Sequence, residues 1–496
     1  MFNPRFLRSE TWGFPSAPVE HIETHAAHVF LVGNRAFKLK KPVKLPYLDF
    51  SSVEKRKDVL ARELVINRVH APGIYLNVIE TEGEPVLVME RFDTAAILSH
   101  AIPRGGLSDG LADALADTVV GAHGLAPRAV AEGAAIMAGL GAQLSGAFVS
   151  SRDLFPAAET LEFHALYGDA LKRLMPLLNR RGKQGLVRRC HGDMHCGNIV
   201  VIEGKPVLFD AIEFSEAIAT IDVLYDLAFL LMDLLRHGER RAANRVLNRY
   251  LHWRRDAEDL SGLAALPLFL ATRAGVRALV TADLVHELPV ELSLKHRGEA
   301  MDYFRANLAY LKPRGPELIC VGGLSGTGKS TVAASLAPSI GAAPGALHIR
   351  SDVERKVLAG VPETGHLAAG HYTSATSMHV YEAVFNRAER ALAAGHSVIL
   401  DAVFASENER RVAETLAKRG AAAFCGVWLE AGIAALKARV SNRVGDASDA
   451  APDVIDLQSC YDLGQMNWIR IDASGTADDT ARAVRRMLPS RPAGPA

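Results

Sequence analysis

The chain has 496 residues, 49% of them apolar and 23% charged, with 56 basic and 56 acidic side chains. That length predicts two or three domains with ample core, and the even charge balance argues against general nucleic-acid binding or attachment to a membrane surface. Five cysteines, few and odd in number, suit a reducing compartment better than a disulfide scaffold. The opening MFNPRFLRSE lacks a basic-then-apolar leader, and the most apolar helix-like run, 224–235, is broken by Asp226 and Asp233. A soluble cytoplasmic protein with no membrane partner is therefore expected.

In chain order, strands are predicted near 19–24, 29–32 and 36–40, the last two joined by a Gly33-Asn34 turn. A helix at about 52–70 follows, then strands at 75–81 and 85–90 around a Glu82-Gly83 turn. From about 107 to 312 an apolar period of 3.6 predicts helices, interrupted near 187–213 by a loop and two short strands. The first part is thus a small α+β lobe of about 1–92 and a helical lobe of about 93–312. Two prolines and a glycine at 313–316 read as a linker. Beyond it, strands at 318–321, 347–351, 398–400, 423–429 and 468–472 alternate with helices, predicting an α/β domain with a parallel sheet over 317–488. A Pro-rich tail, 489–496, should fray.

The loop at 190–198 reads Cys-His-Gly-Asp-Met-His-Cys-Gly-Asn, and a short apolar strand after it ends in Asp210. Phosphoryl transfer to a hydroxyl needs a carboxylate near the acceptor and ligands for the Mg²⁺ of the nucleotide. Asp193 stands five residues before Asn198, the spacing of base and metal ligand in a kinase catalytic loop, and Asp210 follows 17 residues after Asp193. Upstream, Phe37-Lys38-Leu39-Lys40 places two lysines on one side of a strand as candidates for the α/β-phosphates. The apolar-x-apolar-Lys pattern favours Lys40, with Lys38 left open. Glu63 is the best helical partner, with Glu54 behind it, and Met89-Glu90-Arg91 should be the hinge near adenine. No G-x-G-x-x-G precedes the lysines, so only the Gly33-Asn34 turn is available to cover the phosphates. A zinc site on Cys190, His191, His195 and Cys196 is disfavoured because the ligands crowd into seven residues.

This loop, its partner Asp210 and the lobe order resemble the aminoglycoside phosphotransferase family, which reads HGDxHxxN followed by a strand ending in Asp. The resemblance covers about 20–290. It implies a two-lobed, protein-kinase-like α+β fold, with Asp193 as catalytic base and Asn198 and Asp210 holding Mg²⁺. It also implies that His191 and His195 shape the loop and that the helix carrying Asp222 and Asp226 braces it. His-Gly-Asp in place of His-Arg-Asp, without an Ala-Pro-Glu segment, points to a small-molecule kinase.

Past the linker, 323–330 reads Gly-Leu-Ser-Gly-Thr-Gly-Lys-Ser between a strand and a helix, the pattern of a P-loop. Gly323, Ser325, Gly326, Thr327, Gly328 and Thr331 would wrap phosphate with backbone N–H groups and a helix N-terminus. Lys329 would reach the β/γ-phosphates and Ser330 would help hold Mg²⁺. Asp352 and Arg355, just past the second strand, suit substrate-orienting or base roles, and Asp401, ending the third, suits a Walker-B-like role. Arg439 and Arg443, four apart, would share a helix face and form a lid, which makes Asp352, Asp401 and Arg443 the catalytic candidates of this half. No Asn-Lys-x-Asp base-recognition motif of a GTPase is present. This half resembles zeta-toxin-like AAA-type and small-molecule P-loop kinases over about 180 residues. The whole order resembles the bifunctional aminoglycoside phosphotransferase/ATP-binding proteins, which implies two ATP- and Mg²⁺-dependent sites acting on small-molecule acceptors. The competing readings are a nucleotide-sensing half that gates the other, and a toxin-like kinase of a nucleotide sugar.

Overall fold

The computed structural model describes residues 3–488 except 25, 46–47, 256, 286–289 and 443–446. Arg443 and the 489–496 tail therefore lie outside the described residues. The chain forms two compact units, Met1–Met137 with Leu178–Ala242, and Ala138–Leu177 with Ala243–Ala496.

The first unit is built on a five-stranded sheet in the order Val19–Glu23, Ala27–Val32, Arg35–Lys40, Glu84–Glu90, Tyr75–Thr81, every pair antiparallel. Alternation along the strands separates its two faces. Phe30, Val32, Phe37, Leu39, Val86 and Val88 pack with Phe6 and Trp12. The intervening Lys38 and Lys40 point the other way, toward the helix Val53–His70. That helix starts at Ser52, whose hydroxyl accepts from the Lys55 N–H, and it buries Leu60 against Tyr75 and Leu87 of the sheet. Next come the hairpin Ile199–Ile202/Lys205–Leu208 and the strand pair Val187–Arg189/Thr220–Asp222. The helix Val223–Arg236 follows, buried without a break from Val223 to Leu234. Strands of three or four residues are too short for a periodicity, which is why sequence reading finds only two of these four.

In the second unit the helices Leu266–Val285 and Val290–Tyr310 pack along each other. Phe148, Phe155, Phe163 and Phe304 form a ring cluster with Phe148 at its centre, its ring centroids 4.8–5.2 Å from the others. The same unit holds a five-stranded parallel sheet in the order Leu347–Arg350, Val398–Asp401, Glu317–Gly323, Ala423–Glu430, Ile469–Asp472. The first strand in sequence is therefore central. The outgoing connections of Glu317–Gly323 and of its neighbour Val398–Asp401 run to opposite sides, which opens a crevice at their carboxyl ends.

Two helical stretches, Gly133–Ser150 and Ala257–Val285, are long and apolar enough to cross a membrane by length and composition. The second is 67% buried within the protein, as a core helix is. Among the described residues, these stretches and not 224–235 meet that measure.

Helix burial of this kind needs its charges paired. Asp222 accepts from Leu224 N–H at 2.8 Å and is gripped by Arg181 through Nε at 2.6 Å and Nη2 at 2.8 Å. The Arg181 side chain is fully buried. Arg181→Met leaves a buried carboxylate uncompensated and is expected to lower the unfolding free energy by about 3–5 kcal/mol. Denaturant unfolding of the two proteins measures it.

Candidate active sites

On the first sheet, the Lys38 ammonium lies 2.6 Å from Glu63 Oε1 and 2.6 Å from Asp210 Oδ1. Lys40 lies 2.7 Å from Glu63 Oε2 and 2.6 Å from Glu213 Oε1. Glu63 is wholly buried and shared by both lysines. Burial works against the charge on Lys38, but Asp210 and then Glu63 hold its pKa well above the ordinary value. Asp210 is likewise opposed by desolvation, yet Lys38 holds its carboxyl below the usual range. Glu213 is shifted upward, by burial and then by the charge of Glu63, in spite of Lys40. The helical carboxylate is thus Glu63; Glu54 is exposed in the first turn of the helix.

Asp210 adopts a left-handed conformation, φ 60°. Its N–H donates to the Tyr75 hydroxyl at 2.9 Å, and the next N–H, of Ala211, donates to Asn67 Oδ1 at 2.7 Å. Asn67 Nδ2 also donates to the Glu63 carbonyl at 3.1 Å, so one amide ties the helix to the Asp210 loop. Glu213 and Asn67 escaped sequence reading. Their only signal there is a polar residue on an otherwise core-facing helix stripe and a carboxylate three residues past Asp210.

In the 190–198 loop, Asn198 Nδ2 donates to Asp193 Oδ2 at 2.9 Å and to the Asp193 carbonyl at 3.0 Å. His191 Nδ1 accepts from the Asp193 N–H at 3.3 Å, which leaves Nε2 as the donor to the Phe209 carbonyl at 3.0 Å. Burial lowers the His191 pKa, in keeping with that neutral ring. His195 Nδ1 accepts from Gly197 N–H at 3.0 Å and presents Nε2 to Asp193 Oδ2 at 3.5 Å. Asp226 braces the loop by accepting from the His191 and Gly192 N–H groups at 3.2 and 3.0 Å. Asp233, one helical turn pair further, accepts from Cys196 N–H at 2.8 Å and was not singled out in the sequence. Asp222 braces Arg181 instead of the loop.

One expectation is corrected. The Gly33-Asn34 turn lies at the Glu90 end of the sheet, where Asn34 O accepts from Arg91 N–H at 2.9 Å and Arg35 pairs with Glu90. At roughly 3.3 Å per residue, it sits about 13–17 Å along the strand from Lys38. The lysines lie toward the opposite end of that hairpin, where Lys40 stands opposite Ala27. There Thr24 Oγ1 accepts from Ala27 N–H at 3.0 Å.

In the second unit the P-loop folds as its glycines require. Gly323, Gly326 and Gly328 have φ of 140°, 83° and 87°. A Cβ on Gly323 would come within 2.6 Å of the Leu429 carbonyl, and one on Gly326 within 2.8 Å of the Leu436 carbonyl. Lys329 opens the helix Lys329–Leu336, which also carries Ser330 and Thr331 in its first turn, and its ammonium donates to Leu324 O at 3.0 Å. Thr327 Oγ1 donates to the same carbonyl at 2.8 Å, and Ser325 N–H donates to Gln458 Oε1 at 2.8 Å. The loop borders a cleft of roughly 1540 Å³ lined also by Arg350, Asp352, Arg355, Asp401 and Arg439.

Asp401 stands on the strand beside the P-loop strand, with Oδ2 3.5 Å from His348 Nε2 and 3.5 Å from Arg350 Nε. Desolvation opposes its charge, but His348 first, then Arg350 and Lys329, bring the carboxyl down to about 2. His348 and Arg350 alternate on one strand face, a period-2 signal that sequence reading passed over. Asp352 lies in the first turn of the helix Ser351–Leu358. On the same helix, Arg355 donates to His371 O at 2.7 Å and covers the Tyr372 ring at 4.9 Å. Arg439 does not stand free as a lid arm. Its guanidinium donates to the carbonyls of Ser474 and Gly475 at 3.0 and 2.9 Å. Asp449, absent from the sequence-based candidates, accepts from Leu367 N–H at 3.1 Å and from the Tyr372 hydroxyl at 2.6 Å and pairs with Lys356. It sits in a stretch of small residues with no periodic signal.

A lysine–carboxylate cluster facing a catalytic-type loop, and a P-loop heading a parallel sheet, define an ATP-dependent kinase with phosphoryl-transfer architecture in both halves. Residues 29–266 match the model of the phosphotransferase enzyme family, and residues 318–459 that of the AAA domain. The fold is accordingly a protein-kinase-like α+β domain followed by a P-loop α/β domain. An uncharacterized protein of Mycobacterium tuberculosis (strain ATCC 25618 / H37Rv) is 29% identical over 482 residues, 91% of this chain and 92% of its own. Among solved structures, a choline/ethanolamine kinase family protein from Mesorhizobium loti is 15% identical, covering 60% of this chain and 94% of its own, with a TM-score of 0.37. A gluconokinase from Sinorhizobium meliloti 1021 is 21% identical, covering 35% of this chain and 94% of its own, with a TM-score of 0.25.

The depressed Asp401 carboxyl has a consequence for acid stability. Its folded pKa of about 2 lies below the ordinary 3.8, so the unfolded chain binds the proton more tightly. The stabilisation, about 2 kcal/mol, is complete above the unfolded pKa and disappears as pH falls from about 4 through 2. Asp401→Asn is expected to flatten that part of the stability–pH curve, measured by denaturant unfolding across the acid range.

Proposed function

We propose that each half transfers the γ-phosphoryl group of ATP to a hydroxyl of a small molecule, the halves dividing at 313–316 into domains 1–312 and 317–488. The observation that carries the reading of the first half is Lys38, held between Glu63 and Asp210 at 2.6 Å from each. A cation so placed is ready to meet the α/β-phosphates, while the helical carboxylate keeps it oriented. Lys38 takes this role in preference to Lys40, whose second partner is Glu213 and not Asp210. Asp193, fixed by Asn198 and flanked by His195, accepts the acceptor's proton as its oxygen attacks. Asn198 and the Asp210 side chain, 43% exposed, offer oxygen ligands of the hard kind that Mg²⁺ takes, and the ion would neutralise charge between the β- and γ-phosphates.

In the second half Lys329 and backbone N–H groups of the 323–330 loop grip the triphosphate, those of Gly323, Ser325 and Thr327 being held by Val403 O, Gln458 Oε1 and Leu324 O, and Ser330 offers a hydroxyl to Mg²⁺. Asp401 Oδ2 is buried with His348 Nε2 and Arg350 Nε no nearer than 3.5 Å, which fits a carboxylate set to receive the ion or its water. Asp352 orients or deprotonates the acceptor, and Arg355 and Arg439 add positive charge to the cleft wall.

The test is ADP formation by the full chain against a panel of small hydroxyl compounds. Asp193→Ala is expected to remove one acceptor-dependent activity by about 10²–10⁴-fold, and Lys329→Ala to remove a different one. Lys38→Met should match Asp193→Ala in which activity it removes. If the Asp193 and Lys329 variants both turned over every acceptor at the wild-type rate, the proposal would fail. Nucleotide binding without any acceptor-stimulated ADP release would instead assign a sensing role.

A further inference from the structure

Leu347–Arg350 is the edge strand of the parallel sheet, bonded on one side only, to Val398–Asp401. Leu347 N–H points inward, donating to Ser397 O at 2.9 Å, so the next N–H and the preceding C=O face out from the edge. Those two groups are taken up by one side chain from the helix Arg240–Arg254. Asn248 Oδ1 accepts from His348 N–H at 2.7 Å, and its Nδ2 donates to Ala346 O at 3.2 Å. Asn244, one turn earlier, donates to the same carbonyl at 3.0 Å. The pair does for the edge what another strand would do. Gly345 makes the approach possible: at φ 123°, a Cβ there would stand 2.9 Å from Asn244 Nδ2.

Just past that helix, Arg255 makes a two-pronged contact with Glu354, 2.7 Å from Nη1 to Oε2 and 3.2 Å from Nη2 to Oε1. Glu354 is buried and is also met by Arg387 Nε at 3.2 Å. It lies on the Ser351–Leu358 helix, between the cleft residues Asp352 and Arg355. Asn248 thus fixes the strand whose His348 and Arg350 contact Asp401, and Arg255 fixes the helix that presents Asp352 and Arg355.

We propose that Asn248 and Arg255, residues inside the span that matches the phosphotransferase family, are positioning residues for the P-loop kinase site, which is incomplete without them. The inference rests on the reading of the P-loop cleft as a kinase site. The triphosphate grip comes from the central strand and the 323–330 loop, which these residues do not touch, whereas the residues facing the transferred group depend on them. Their loss therefore lowers turnover and leaves nucleotide affinity in place.

The experiment is steady-state ADP release from MgATP to water by the full chain, in an Asp193→Ala background so that the first half is silent. Lys329→Ala, Asn248→Leu, Arg255→Met and Arg255→Lys are compared, with ATP binding at the P-loop followed in parallel. We expect Asn248→Leu and Arg255→Met to lower kcat about tenfold or more with KM for ATP within about threefold, and Arg255→Lys to recover most of the loss. Abolished turnover in Lys329→Ala beside unchanged kcat in Asn248→Leu and Arg255→Met overturns the positioning role. So does a parallel loss of ATP binding and kcat that Arg255→Lys fails to relieve, which marks a contact for folding alone. Turnover that survives Lys329→Ala overturns the reading of the P-loop itself.

Discussion

A lysine ammonium withdrawn from water has to be surrounded by carboxylates. Around Lys38 this requirement draws together a strand, a helix and a loop that are far apart in the chain: Lys38 and Lys40, then Glu63, then Asp210 and Glu213. Each ion in the series Asp210–Lys38–Glu63–Lys40–Glu213 has an opposite charge beside it, and breaking one link would strand its neighbour. The left-handed Asp210, pinned by Tyr75 and followed by an N–H held on Asn67, is the backbone's part of the same arrangement.

The second half meets the same electrostatic demand with different material. Its phosphate-type loop is built on glycines at positive φ, with Lys329 at the head of a helix. Side chains then supply what the loop cannot. Asp401 holds its charge in a buried place because His348 and Arg350 stand 3.5 Å away and Lys329 adds its charge. The strand bearing both of those is an edge, and edges need covering. The helix Arg240–Arg254, outside the P-loop sheet, provides the cover through Asn244 and Asn248.

Much of this was legible in the sequence. Period-2 and period-3.6 patterns located the strands of both large sheets, and the P-loop and the 190–198 loop announced phosphoryl chemistry through fixed spacing. What stayed hidden has physical reasons. Lys38 and Lys40 lie two apart and hence on one face, so only the fold could assign Asp210 to the first and Glu213 to the second. The Gly33-Asn34 turn was recognisable as a turn, but turn chemistry does not say which end of a strand faces a ligand. Asn244 and Asn248 read as ordinary polar positions on an amphipathic helix. Their role exists only because an edge strand about 100 residues later lies beside them. Asp449 sits among small residues that carry no periodic signal at all.

The central claim, that this one chain holds two separate centres for the same triphosphate, is tested most directly by counting bound nucleotides. Equilibrium titration of the full chain with a non-hydrolysable ATP analogue and Mg²⁺ should reach two nucleotides per chain at saturation. Saturation at a single nucleotide per chain would contradict the account.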